Sequence, residues 1–275
     1  MKLGEIIEGF SIPPYPKGVS LEGKLVDLKP LNENEFAKEL FQSNSLDKDG
    51  TNWTYLPYGP FDTEVEYAHW IKSFAEELFQ SNSLDEKGIN WTYLPYGPFE
   101  TAVEYANWIK FFGESDDPNF LAIISKKLKK AVGIASYLRI NPSVGLIEVG
   151  HINYSPLLQQ TTEATEAMYL MMKWAFDNGY RRYEWKCNAL NLRSRRAAQR
   201  LGFSYEGIFR QMTISKGRNR DTAWFAIIDK EWKEIEKCFV QFLAGENFDN
   251  EGKAKVSLSS LTKPLLYKLD NLDDC

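Results

Sequence analysis

Two rhythms of hydrophobic and polar positions run along this chain. Apolar residues alternating with polar ones, rich in β-branched and aromatic types, mark strands at 24–29 (KLVDLK), 119–125 (NFLAIIS), 131–140 (AVGIASYLRI), 145–153 (GLIEVGHIN), 181–187 (RRYEWKC), 206–214 and 222–229 (TAWFAIID). Apolar residues spaced three and four apart mark helices at 163–178 (EATEAMYLMMKWAFDN), 191–201 (NLRSRRAAQRL) and 230–244. Asn141-Pro142 starts the turn of a hairpin between the third and fourth strands. The strand at 181–187 follows a helix, so it should lie parallel to the one at 145–153. From Glu246 onward the pattern becomes polar and irregular, which predicts a peripheral extension, 246–275, on a single domain, 1–245.

A repeat interrupts this order. Residues 36–73 and 74–111 align at a period of 38, with 30 positions identical, and both contain WTYLPYGPF. Each copy reads as a short amphipathic helix beginning at Phe36 or Phe74, an irregular aromatic loop, and a second helix capped by Thr63 or Thr101. The seam holds no Gly or Pro, which predicts one unbroken helix from about Glu64 to about Phe79. Thr51, Glu64 and Ser73 become Ile89, Ala102 and Phe111 in the second copy. Gained apolar surface favours the second copy as the docked one. The other copy is then an exposed excursion or material for exchange between protomers, a route to a homodimer.

Composition narrows the class. At 275 residues and 43% apolar content the chain can bury a full core. Cys187, Cys238 and Cys275 are too few and too scattered for a disulfide framework or a zinc site, which points to a reducing, cytoplasmic setting and no metal. No secretory leader and no run of eighteen apolar residues is evident, so no membrane span is expected. Between Arg181 and Arg220, eleven Lys/Arg stand against Glu184 and Glu206, a balance of +9 in a chain of net charge −5. An acidic protein with one basic segment suits a compact polyanion better than extended nucleic acid.

Two passages could carry the chemistry. In "EVGHINYSPLLQQTTEATEAM" a strand ends, a polar turn follows and a helix opens; its unpaired amides can hold phosphate. In "NLRSRRAAQRLGF", Asn191 and Ser194 lie at helical spacing beside Arg193, Arg195 and Arg196. Ordinary helix capping could account for either alone. Together they resemble the GNAT superfamily of acyl-CoA-dependent N-acetyltransferases, in particular the branch of the ribosomal-protein-alanine acetyltransferases. Gln159 fills the first position of that family's Gln/Arg-x-x-Gly-x-Gly/Ala loop and Ala164 the last, while Thr162 stands where glycine is expected. Asn191, Ser194 and Leu201-Gly202-Phe203 match its second signature. The resemblance runs from about residue 20 to 240, broken by the extra 38 residues. It implies an α/β (α+β) fold with a central mixed, mostly antiparallel sheet flanked by helices. It also implies acetyl-CoA as co-substrate, held by Gln159, Gln160, Thr161, Thr162, Glu163, Ala164 and Thr165, with Asn191 and Arg196. Thr162 should weaken or alter that binding, since glycine permits the closest approach of a pyrophosphate.

Acetyl transfer needs a neutral amine, a stabilised oxyanion and a proton for the departing thiolate. At pH 7 roughly a tenth of α-amino groups (pKa ~8) but only about one lysine in 2500 (pKa ~10.4) is neutral. Glu148, on the strand expected to flank the thioester, is the candidate base, an exposed strand glutamate being the alternative. His151 has the opposite parity and should face away, as a packed or surface histidine. His69 is Asn107 in the other copy, which argues against an essential role. The tyrosine acid of many family members is replaced by Ala198; the resemblance nominates Ser194 instead, a hydroxyl that could equally cap its helix or bind CoA. The resemblance also sets the aromatic loop against the acceptor, through Trp91, Tyr93 and Tyr96 or Trp53, Tyr55 and Tyr58, unless these rings are core. The reading is an N-acetyltransferase that moves acetyl onto a primary amine, of a protein N-terminus or a small molecule, by direct attack on the thioester. The alternative is a catalytically weak or inactive acyl-CoA-binding protein.

Overall fold

The computed structural model describes residues 3–30, 33–49, 51–56, 59–67, 117–215 and 217–272. Eight strands form one sheet in the order β1 (Leu21–Glu22), β2 (Val26–Pro30), β3 (Asn119–Ser125), β4 (Lys130–Asn141), β5 (Leu146–Tyr154), β6 (Arg182–Asn188), β8 (Arg218–Ile228) and β7 (Ser204–Ser215). Among the described strands only β5 and β6 pair parallel. That follows from the crossover through α2 (Thr162–Asp177), since parallel neighbours need a long connection. Helix α1 (Glu33–Asn44) precedes β3, α3 (Leu192–Arg200) follows β6, α4 (Asp229–Leu243) follows β8, and a short α5 (Leu258–Thr262) lies in the tail.

Strand alternation sorts side chains into two cores. Leu121 and Ile123 of β3, Ile147 and Val149 of β5, Tyr183 and Trp185 of β6, and Ala223 and Phe225 of β8 point into the larger one. There Met168, Met171 and Met172 of α2 and Trp232, Ile235 and Phe239 of α4 cover them at helical spacing. On the opposite face Ala122, Ala131 and Ile134 meet Leu40 of α1, Trp53 and Tyr67. Trp53 and Tyr67 pack edge-on around Phe61 at 5.3 Å. The copy of the repeat seen against the sheet is therefore the first, whereas the sequence favoured the second. Leu40, Trp53, Phe61 and Tyr67 are identical in the two copies, and of the positions that guided the expectation Thr51 and Glu64 are exposed, while 73 lies outside the described residues. Thr63 caps the second helix as expected, its Oγ1 accepting the Glu66 amide at 3.1 Å. Helix is described only from 64 to 67; the rest of the expected continuous helix, and all of 74–111, lie outside the described residues.

The tail was expected to be peripheral. Its Leu258 and Asp270 are instead buried, at 1% and 6% exposure. Thr262 donates to the Arg200 carbonyl at 3.0 Å, and Asp270 forms an ion pair with Arg195 in which both side chains are wholly enclosed. A polar segment can pack when its polar groups find partners, which periodicity does not reveal. Among the described residues no helix is long and apolar enough to cross a membrane.

Candidate functional site

Parallel β5 and β6 open the site. Their ladder runs from Leu146↔Arg182 to Val149↔Trp185 and stops, although β5 continues to Tyr154 and β6 to Asn188. Past the divergence, each strand's facing backbone groups lose that partner and can serve a ligand. A cleft of about 2320 Å³ extends from this gap and is lined by both strands, α2 and α3.

At one side of the cleft α2 begins. Thr161 is its cap: the hydroxyl accepts the Ala164 amide at 3.1 Å. Thr162 and Glu163 head the helix, where amides have no intrahelical acceptor. Gln160 holds a positive φ of 57° that turns the chain into the helix. Gln159, Gln160, Thr161 and Thr162 all line the cleft, as do Ala164 and Thr165. Glu163 does not; its carboxylate accepts the Ser125 hydroxyl at 2.7 Å and secures α2 to β3. The Gln159 amide donates to the Tyr154 carbonyl at 3.0 Å and to Asn52, so the aromatic loop is tied to this turn.

Opposite stands α3. Asn191 caps it, accepting the Ser194 amide at 3.1 Å. Asn191, Ser194, Arg196 and Arg200 line the cleft, and Arg200 reaches Thr165 Oγ1 at 3.0 Å, bridging the two helices. Trp185 Nε1 donates to Ser194 Oγ at 3.0 Å. An indole N–H can only donate, so the serine accepts there and keeps its own proton to give. Burial raises the neighbouring Cys187 thiol to about 11, the Ser194 hydrogen bond acting the other way.

Glu148 faces the other side of the sheet and is 3% exposed. Its Oε1 lies 2.6 Å from Arg139 Nη1 and its Oε2 2.7 Å from Lys186 Nζ. Burial pushes its carboxyl above the usual range, and the two cations oppose that shift. Lys186 also meets Glu184 at 2.6 Å and stands 3.8 Å over the Trp224 ring. Glu148 is therefore a buried, cation-paired carboxylate and not an exposed strand glutamate. His151 corrects a second expectation. Between Ser136↔Gly150 and Ile134↔Asn153 β5 advances one residue more than β4, and His151 takes a positive φ of 49°. This bulge breaks the alternation, so His151 lines the same cleft as Glu148. Burial, then Arg139 and Arg220, push its pKa down to about 4, which keeps the ring neutral at pH 7.

The first-copy loop closes the remaining side. Thr51, Asn52, Thr54, Tyr55 and Leu56 line the cleft, and Tyr55 reaches the Leu190 carbonyl at 3.4 Å. Trp53, at 3% exposure, is core. Trp91, Tyr93 and Tyr96, and also Tyr58, lie outside the described residues. Arg139, Lys186, Arg220 and the tail residues Lys263 and Leu266 line the cleft without having been foreseen. For Lys186 a signal existed: a charged residue in phase with Glu184 on a strand whose other face is apolar.

Comparison with known proteins gives this geometry a lineage. Residues 28–204 match the model of the acetyltransferase (GNAT) domain. A GCN5-related N-acetyltransferase from Brucella melitensis shares 36% identity over 94% of this chain and 100% of its own, with a TM-score of 0.76. A protein described as a probable acetyltransferase of the GNAT family from Chromobacterium violaceum shares 30% over 85% of this chain and 98% of its own, TM-score 0.64. A ribosomal L7/L12 alpha-N-protein acetyltransferase, at 17% identity, 76% and 94% coverage and TM-score 0.52, shares the fold. No curated protein matches the sequence. This chain belongs to the GNAT acetyltransferase family.

Proposed function

We propose that the protein is an acetyl-CoA-dependent N-acetyltransferase acting on a primary amine, at a protein N-terminus or in a small molecule. The observation that carries the reading is the divergence of β5 and β6 between the opening of α2 and the Glu148 carboxylate. On the α2–α3 side, the Thr162 amide at the helix opening with Arg196 and Arg200 suits a diphosphate. The freed strand edges suit the amides of an extended pantetheine arm. On the other side Glu148, its pKa raised, takes the proton of the incoming ammonium, directly or through water. The amine attacks the thioester carbonyl, and Ser194, with its oxygen held by Trp185, donates to the departing sulfur.

Thr162 keeps its amide but adds a side chain, which supports weakened donor binding. Two cations on Glu148 favour the second reading, a weak or inactive acyl-CoA-binding protein. Thiol release from acetyl-CoA over a panel of amines separates the two. Amine-dependent release supports the transferase; tight binding of acetyl-CoA with none supports the binder. We keep residues 1–245 as one domain with 246–275 clasping it, and the second repeat copy as the route to a homodimer.

A further inference from the structure

The mechanism leaves Arg220 without a role. Residues 220, 222 and 224 share the face of β8 opposite Ala223 and Phe225, so Arg220 lies on the Glu148 and Lys186 side of the sheet. The cations suited to the donor's phosphates, Arg196 and Arg200, belong to α3, whose Ala198 packs into the core of the other face. Arg220 lines the cleft half-buried, and its Nε is enclosed with no hydrogen-bond partner. Among the described residues no carboxylate pairs with it, since Glu148 is taken by Arg139 and Lys186 and Glu184 by Lys186 and Arg182. Burial lowers its pKa, with Cys187 raising it, Arg139 lowering it and Glu148 raising it. Arg139 itself is 59% exposed, so the outer edge of its guanidinium remains open beside Arg220.

A partly desolvated guanidinium without a counter-ion is unfavourable, and a bidentate anion would relieve it. We infer that Arg220, with the outer edge of Arg139, binds a carboxylate of the acceptor, so the substrate is an amine that also carries an acid group. This rests on the transferase reading. Plain and polycationic amines are disfavoured on the same ground, because they would add positive charge to a face where cations already exceed carboxylates.

The test compares kcat/KM for alanine against alaninamide and for Ala-Glu-amide against Ala-Gln-amide, at saturating acetyl-CoA, in the wild type and in Arg220→Gln. Each value is expressed per neutral amine, because a free α-carboxylate makes alanine's ammonium more basic than alaninamide's. The first pair tests an α-carboxylate and the second a side-chain acid. The acid member of one pair should be preferred by about ten- to a hundredfold, the range of a charge-assisted hydrogen bond. Arg220→Gln should abolish most of that preference and leave the KM for acetyl-CoA unchanged. Equal use of acid and amide in both pairs overturns the inference while leaving the transferase reading intact. A raised acetyl-CoA KM with the preference retained also overturns it, because Arg220 would then serve the donor. If none of the four amines turns over, N-acetylalanine and N-acetylalaninamide are titrated calorimetrically into the CoA-saturated protein. Binding of the acid alone, lost in Arg220→Gln, supports the site even as the transferase reading fails; indifference to the carboxylate overturns it.

Discussion

Replacing Asp270 by Asn should cost more stability than its place near the chain end suggests. Arg195 directs Nε and Nη2 at the two carboxylate oxygens, at 2.7 and 2.5 Å, and Nη1 at the Ala189 carbonyl at 2.9 Å. Neither side chain of the pair is exposed, so no solvent screens the interaction. Breaking a buried pair from one side costs about 3–5 kcal/mol, mostly because the surviving charge is left uncompensated. Asn keeps one acceptor oxygen, which places the expected loss near ~3 kcal/mol. Against a total of roughly 5–15 kcal/mol this is a large fraction, and urea unfolding would read it as a lower midpoint at unchanged slope. The double variant Arg195→Met, Asp270→Leu removes both charges and should recover most of the loss. A loss below about 1 kcal/mol for the single variant, or no recovery in the double, would refute the buried-charge argument. Because Arg195 sits beside Ser194 and Arg196 on α3, the single variant should also raise the KM for acetyl-CoA.

Glu148→Gln should lower kcat/KM by about 10²–10⁴ at pH 7, the usual worth of a positioned base. Since its folded pKa is raised, wild-type activity should fall as pH drops through that value, and the acid limb should vanish in the variant, as a pH–rate profile would show. His151, with a folded pKa of about 4 against an ordinary 6.5, binds its proton less readily when folded. Stability should therefore decline from about pH 6.5 toward 4, by at most ~3 kcal/mol, and urea titrations should find this slope reduced in His151→Gln. Trp185→Phe removes the donor to Ser194 and should lower kcat roughly two- to tenfold, the worth of one neutral hydrogen bond, without moving the acetyl-CoA KM. Trp53→Ala should cost about 3–5 kcal/mol of stability and Trp91→Ala less, a contrast that unfolding curves would reverse if the second copy docks.

How much of this was legible depended on which interaction set each feature. Strand β3 was placed at its observed ends, because the unbroken apolar run FLAII between polar Asn119 and Ser125 marks a strand covered on both faces. The parallel pairing of β5 and β6 followed from chain connectivity alone. His151 was misplaced because one bulge shifts every later side chain, and no residue there announces it. The tail was misread because Asp270 is buried by a partner 75 positions away, a contact invisible to any local window. Asn191 and Ser194 could be placed together in the cleft because the cap and the hydroxyl share one short motif, whereas Arg139, Lys186 and Arg220 come from three strands and meet only in the folded sheet. The choice between repeat copies turned partly on Thr51 and Glu64, which are exposed, while Leu40, Trp53, Phe61 and Tyr67 are the same in both copies.

Calorimetric titration of acetyl-CoA into the wild type and into Arg196→Glu tests the central claim most directly, namely that the opening of α2 and the arginines of α3 hold the donor. The account predicts one site per chain, with affinity reduced tenfold or more by the reversal of charge, about 1.4 kcal/mol or above. Equal affinity in the two proteins, or no binding to the wild type, would contradict it.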